Sequence, residues 1–381
     1  MLDEGSSLGR DAIYGENDKE APAQANTITF NGEEKKLESG NHGEKQLPHV
    51  LSKEEIVEIE EAGEVVPLAE SSILNQLCLI AAFAVLGVYC RILLTNATPA
   101  GFVNYLSSQF IGSFVLGFVF TTKGDMNLDL FAGISIGFCG SLTTFSTWQV
   151  DIVEMLVGAP GSPSDAAGKT YVWFQDQCIG FSVPFAGLAF GKHTADVMAP
   201  SLRPALSRMI KFVRKEQVKH VVTSFSLVVC AGAIAGVISV CVLWPGITSF
   251  SLIFAPAGAI LRFFLSRYLN TLTLNFYWGT FTANIIGSVV AGILFGVSSR
   301  NVYSSLGCDS LWGLEYGFCG SLTTISTFVN EIHTLPNVKH AYIYGVMSVL
   351  SAQILLIIIM GSFIWTQSEP FSNPSACYFT K

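Results

Sequence analysis

The chain has 381 residues, half of them hydrophobic and only 13% charged, with a mean hydropathy of +0.48. Ordinary soluble domains carry roughly a quarter charged residues, so a soluble enzyme and a nucleic-acid binder are both excluded. The net charge of −8 is unevenly placed: residues 1–70 hold 17 acidic and 6 basic side chains, leaving 12 acidic and 15 basic for the rest.

Residues 1–70 alternate Glu, Lys, Gly, Asn and Ser without an apolar period, the composition of a solvated, disordered tail. They have no basic start followed by an apolar core, so they do not read as a signal peptide. A helix needs about 20 apolar residues to cross the hydrocarbon layer. Nine stretches qualify: 73–94, 102–120, 128–156, 171–191, 221–243, 249–268, 277–297, 311–332 and 342–365. The third and eighth are interrupted by Gly, Ser and Thr. Unpaired backbone is not tolerated against lipid, so these interruptions belong inside the bundle.

Orientation follows from the basic residues. Between Lys192 and Lys219 seven Lys and Arg face only Asp196 and Glu216, which places this stretch in the cytoplasm. Four spans precede it, so the N-terminus is expected in the cytoplasm and, after nine spans, the C-terminus outside. The sequon Asn96-Ala97-Thr98 then falls on an outer loop.

An internal repeat organises the rest. Residues 137–147 read GFCGSLTTFST and residues 317–327 read GFCGSLTTIST, agreeing at 10 of 11 positions. Gly87 to Arg91 (GVYCR) matches Gly258 to Arg262 (GAILR), and Gln109 to Ser113 (QFIGS) matches Asn284 to Ser288 (NIIGS). Each half is therefore a four-span unit. One extra crossing between them inverts the second unit, and inverted repeats form intramembrane sites at their mutual interface. The expected organisation is an acidic cytoplasmic tail (1–70), a first four-helix repeat (71–191), a basic cytoplasmic loop with a linker helix (192–248), a second repeat (249–366) and a short external tail (367–381). The fold class is an all-α membrane protein of nine transmembrane helices, with a broken third helix in each repeat.

In the repeated Gly-Ser-Leu-Thr-Thr, glycine and two β-branched hydroxyl residues disfavour a regular helix. An unwound turn there offers carbonyls to a hard cation, and hydroxyls and half-helix ends to an anion. Close helix packing is the alternative for one such motif; two copies in inverted halves favour an ion site. The nine cysteines include no CxxC pair, and the six histidines show no metal spacing. Most of these thiols read as small buried hydrophobes. Cys308 and Cys377 share the outer side, where a disulfide is chemically allowed.

The doubled TTxST motif, the Gly-xxx-Arg of spans one and six and the Asn-Ile-Ile-Gly-Ser of span seven resemble the Fluc/FEX fluoride channels. The likeness covers roughly 71–365, and in particular it resembles the fused eukaryotic form, two units joined by a linker span. It implies a passive, fluoride-selective channel of the plasma membrane, not an enzyme. Its partners would be fluoride and lipid, without nucleic acid, and the chain would work as a monomer. It further implies one structural Na⁺ held by backbone carbonyls of Gly140, Thr143, Gly320 and Thr323.

The same resemblance assigns pore residues. Asn284 matches the family's second-span Asn, and Tyr344 and Ser348, one turn apart, match its polar track. Thr324, Ser326 and Thr327 supply hydroxyls, and Arg262 an anion vestibule. Arg91 and Arg262 can equally be read as snorkelling side chains that make a structural hydrogen bond to a neighbouring helix. The motif aromatics are Phe145 and Trp148 in one half, Ile325 and Phe328 in the other. If each pore takes one aromatic from each half, Phe145, Phe328 and Asn284 form an intact lane. Ile325, Trp148 and Gln109 form a degenerate one. A fluoride–proton antiporter is the main alternative, with Asp176 the mid-span carboxylate it would use; Asp151, Glu154, Glu315 and Glu331 read as closer to helix ends. A non-transporting scaffold and a carrier of larger solutes fit the broken helices and small pore residues less well.

Overall fold

The computed structural model describes residues 73–99, 103–213, 246–300 and 303–366, with single positions at 228, 231, 232 and 377. The acidic tail 1–70, the expected fifth span 221–243 (those three positions apart) and most of 367–381 lie outside the described residues. Every regular element among the described residues is helical, and all belong to one compact unit, Pro67–Lys381.

In the first repeat, α1 spans Ile73–Ala97 and α2 Leu106–Thr121. Helix α3, Leu128–Ala132, continues as a π-helical stretch Gly133–Cys139 and a last turn Gly140–Leu142, and α4 restarts at Phe145–Val157. Helix α5 is Ala166–Val213. The second repeat copies this order: α6 Ile247–Leu269, α7 Trp278–Arg300, α8 Ser305–Gly313 with π-helical Leu314–Cys319 and the turn Gly320–Leu322, α9 Ser326–Thr334 and α10 Val338–Trp365.

Among the described residues, five helical stretches are long and apolar enough to cross a membrane, and they fall on the expected first, third, sixth, seventh and ninth spans. The second span is a shorter apolar helix of 16 residues. The eighth is divided between α8 and α9. The fourth departs from expectation: α5 runs unbroken for 48 residues, so 192–213, read from its charge as loop, is helical. The positive-inside bias concerns charge and not backbone conformation, and Lys and Arg are good helix formers.

Two packing rules position the site. First, α1 and α6 lie against each other through Ile80, Ala84 and Val88 facing Leu252, Ala255 and Ala259. Each also presses on its own repeat's break. A Cβ on Gly87 would lie 2.6 Å from the Phe138 carbonyl, and one on Gly258 would strike the Phe318 carbonyl. Only glycine permits that approach. Second, the restarted half-helices change partners. Helix α4 of the first repeat packs on α7 and α10 of the second, and α9 of the second packs on α2 and α5 of the first.

Candidate functional site

Both chain breaks have the same local cause. After the π-helical stretch, backbone angles turn extended at Thr143 (φ −95°, ψ 146°) and Thr323 (φ −88°, ψ 154°). Each Thr hydroxyl donates back to a carbonyl four residues earlier, Thr143 to Cys139 at 3.0 Å and Thr323 to Cys319 at 2.9 Å. This side-chain bond competes with the helical ladder. Thr144 then caps α4, its hydroxyl accepting from the Thr147 N–H.

The two breaks meet each other. The hydroxyls of Thr143 and Ser326 are hydrogen-bonded at 2.9 Å, and the Ser326 N–H donates to Thr143 Oγ1 at 3.2 Å. The mirrored contacts join Thr323 to Ser146 at 3.0 Å and the Ser146 N–H to Thr323 Oγ1 at 3.1 Å. All four side chains are buried. At membrane depth an unpaired polar group costs several kcal/mol, so this reciprocal network fixes how the repeats register. Thr324 is adjacent, 3.4 Å from the Ser326 hydroxyl, and the Thr327 N–H points at Thr324 Oγ1.

The arginines also exchange. Arg91 of α1 donates to the carbonyls of Gly320 (2.8 Å) and Tyr316 in the second repeat; Arg262 of α6 donates to Ile136 (2.6 Å) in the first. Both are nearly fully buried, at 4% and 2% exposure, so neither snorkels to water, while the structural hydrogen bond to a neighbouring helix is present in both. They place two fixed positive charges beside the broken helices. Arg91 also borders a cavity of about 440 Å³ with Tyr105, Thr144, Thr147 and Asp151.

Each break is braced by an amide from the second helix of its own repeat, but unequally. Asn284 is bidentate: its Nδ2 donates to the Thr324 carbonyl at 3.3 Å, and its Oδ1 accepts from the Thr324 N–H at 2.9 Å. Gln109 donates to the Thr144 carbonyl at 2.7 Å, while its Oε1 has no partner among the described residues.

The structure brings the aromatics together across the repeats. The Phe145 and Phe328 rings meet edge-to-face at 5.5 Å, and Phe328 meets Tyr344 at 5.2 Å. Ile325 is buried in the same cluster. Trp148 touches Phe145 at 5.7 Å and Phe181 at 5.1 Å, so the two expected aromatic sets share one continuous cluster. Trp148 Nε1 donates to the Asp176 carbonyl at 3.2 Å, and its ring lies against Gly180. Ser348 donates to the Tyr344 carbonyl at 2.7 Å.

Sequence reasoning missed Glu331, which it placed near a helix end. Glu331 is buried and accepts from the Tyr344 hydroxyl at 2.7 Å and the Thr280 hydroxyl at 2.6 Å. A signal was present: the residue seven after the second Thr of the motif is acidic in both halves, Asp151 and Glu331. Cys308 and Cys377 form a disulfide, and Trp312 Nε1 donates to the Cys377 carbonyl at 3.1 Å.

For a metal, no group of three or more His, Cys, Asp or Glu is assembled among the described residues. The four carbonyl positions fit an alkali cation by donor type, because neutral oxygens suit hard ions. The extended angles at Thr143 and Thr323 take those carbonyls out of the helical ladder. The Gly320 carbonyl already accepts from Arg91 and keeps one further lone pair.

A family model described as "CrcB-like protein, Camphor Resistance (CrcB)" matches residues 78–188 and 249–362. The chain is 30% identical over 262 residues to Fluoride export protein 1 of Neurospora crassa, covering 63% of this chain and 49% of that protein. It is 30% identical over 304 residues to Fluoride export protein 1 of Schizosaccharomyces pombe, covering 74% and 94%. Over 112 residues it is 37% identical to the Fluoride-specific ion channel FluC of Desulfovibrio desulfuricans, covering 29% and 85%. The chain thus spans about half the length of the Neurospora relative. No solved structure matches it significantly.

Proposed function

The chain belongs to the CrcB-like family, and we propose that it is a passive, fluoride-selective channel that exports fluoride from the cytoplasm through one working lane. The names of its relatives carry fluoride; the lane is carried by one structural observation. Helix α4 packs on the α7 helix of Asn284 and brings Phe145 to Phe328, which in turn meets Tyr344, and this contact across the repeats supports a path between them. The polarised edges of the rings, with the second N–H of the Asn284 amide, suit a small dehydrated anion. An inside-negative potential drives fluoride out, about 2.3 kcal/mol per charge per 100 mV. Arg91 and Arg262 lower the electrostatic cost of an anion at membrane depth. Ile325, Trp148 and Gln109 mark the degenerate lane.

The membrane arrangement we propose has nine helices in two inverted repeats joined by a linker helix, in the plasma membrane. The exposed apolar surface of α10, including Ile343, Met347, Ile354 and Ile358, suits lipid contact. The Cys308–Cys377 disulfide supports an external C-terminus, since disulfides persist in oxidising compartments. One chain completes both lanes, which supports a monomer. A structural Na⁺ on the carbonyls of Gly140, Thr143, Gly320 and Thr323 would add a fixed positive charge between the breaks; the chain's own hydroxyls and guanidiniums hold the repeats in register.

A second reading, a fluoride–proton antiporter, draws on Glu331 and its bond to Tyr344 rather than on Asp176, whose side chain is only half-buried. Fluoride efflux from proteoliposomes separates the two. A channel follows voltage at any fixed pH gradient and excludes chloride; an antiporter moves fluoride against its gradient when driven by protons alone.

A further inference from the structure

Resting on the channel reading, we infer that Gln149, Gln353 and Ser288 form an additional fluoride subsite in the working lane, beyond the Phe145–Phe328 pair. These side chains come from α4, α10 and α7, the three helices that pack together across the repeats. All are buried, at 0%, 4% and 0% exposure.

Their placement follows from register. On α4, Gln149 is one turn from Phe145 and so shares its face. It sits between Trp148, in the aromatic cluster, and Val150 and Val153, in the apolar cluster beyond. On α10, Gln353 lies between Ala352 of the first cluster and Leu356 of the second. On α7, Ser288 is one turn past Asn284 and one turn before Gly292, which faces Leu356. The three positions therefore mark one polar layer where the two clusters join.

The chemistry of that layer is donor-rich. The Trp173 indole N–H donates to Gln353 Oε1 at 3.1 Å. An indole can only donate, so this bond fixes the amide orientation and turns the Gln353 NH₂ the other way. That NH₂, both polar atoms of Gln149 and the Ser288 hydroxyl have no hydrogen-bond partner among the described residues. Native proteins rarely leave buried amides unsatisfied, and each one calls for a ligand or a functional reason. Fluoride accepts from N–H and O–H donors and needs several of them once dehydrated. The other repeat keeps only part of this layer: Ser113 matches Ser288 and its buried hydroxyl is likewise without a partner among the described residues, but the position matching Gln149 is Val329.

The test uses Gln149→Leu, Gln353→Leu and the control Val329→Leu in the full chain, with fluoride efflux from proteoliposomes and thermal stability in fluoride-free detergent. The subsite predicts at least a tenfold loss of flux in each Gln variant with equal or higher thermal stability, because an unsatisfied buried amide is replaced by an apolar side chain. Val329→Leu should conduct like the wild type. Wild-type flux in the Gln variants overturns the inference, as does loss of flux accompanied by a fall in thermal stability, which marks a structural role. Absence of fluoride flux in the wild type is a different result: it removes the channel reading itself.

Discussion

The two proposed lanes begin from nearly the same eleven residues and share one aromatic cluster, but they differ in the residues that brace and fill them. On one side, α4 meets α7 and α10, and the lane holds Phe145, Phe328, a bidentate Asn284 and the Tyr344–Ser348 pair. On the other, α9 meets α2 and α5, and the lane holds Ile325, Gln109 with one unsatisfied amide atom, and Trp148 seated on Gly180. What stays symmetric is the frame: the Thr–Ser network and the exchange of arginines. What diverges are the residues proposed to line the path. The frame needs both copies to hold the repeats in register, whereas the proposed conduction needs only one lane.

The largest effect expected from breaking this asymmetry is at the aromatic pair and its amide. Phe328→Ala and Phe145→Ile should each abolish fluoride efflux from proteoliposomes at unchanged expression. Removing a guanidinium acts on the frame. Arg262→Met should lower flux at least tenfold, and it should also lower thermal stability by about 1.5–3 kcal/mol, the scale of one charge-assisted hydrogen bond, here to the Ile136 carbonyl. Stability in detergent and flux in liposomes, read together, separate those two roles. Ile325→Ala should leave most of the flux, and a collapse there equal to that of Phe328→Ala would mean that the second lane also conducts. The smallest effect is on the tail. Cys308→Ser should free one thiol of Cys377 for labelling and change flux less than twofold; equal labelling of the wild type without reductant would dismiss the bridge.

The frame was legible in the sequence because repetition is visible at single-residue resolution: GFCGSLTT occurs twice and both copies unwind at the second-to-last Thr. The pairing of Phe145 with Phe328 followed from treating the halves as an antiparallel pair. Other features were hidden. Glu331 looked like a helix-end carboxylate because burial depends on α7 and α10 folding over it, a contact between segments distant in sequence. The arginine exchange was hidden for the same reason, since a Gly-xxx-Arg motif does not say which repeat's carbonyls it will meet. The helix through 192–213 was masked by its own charges, which set orientation and not conformation.

The central claim is that fluoride crosses through one lane of two. Its most direct measurement is voltage-driven fluoride efflux, with chloride as control, from liposomes carrying Asn284→Ala or Gln109→Ala. The account predicts that the first abolishes fluoride efflux and that the second retains most of it, with no chloride flux in either. Equal loss in both variants, or equal retention, would contradict it.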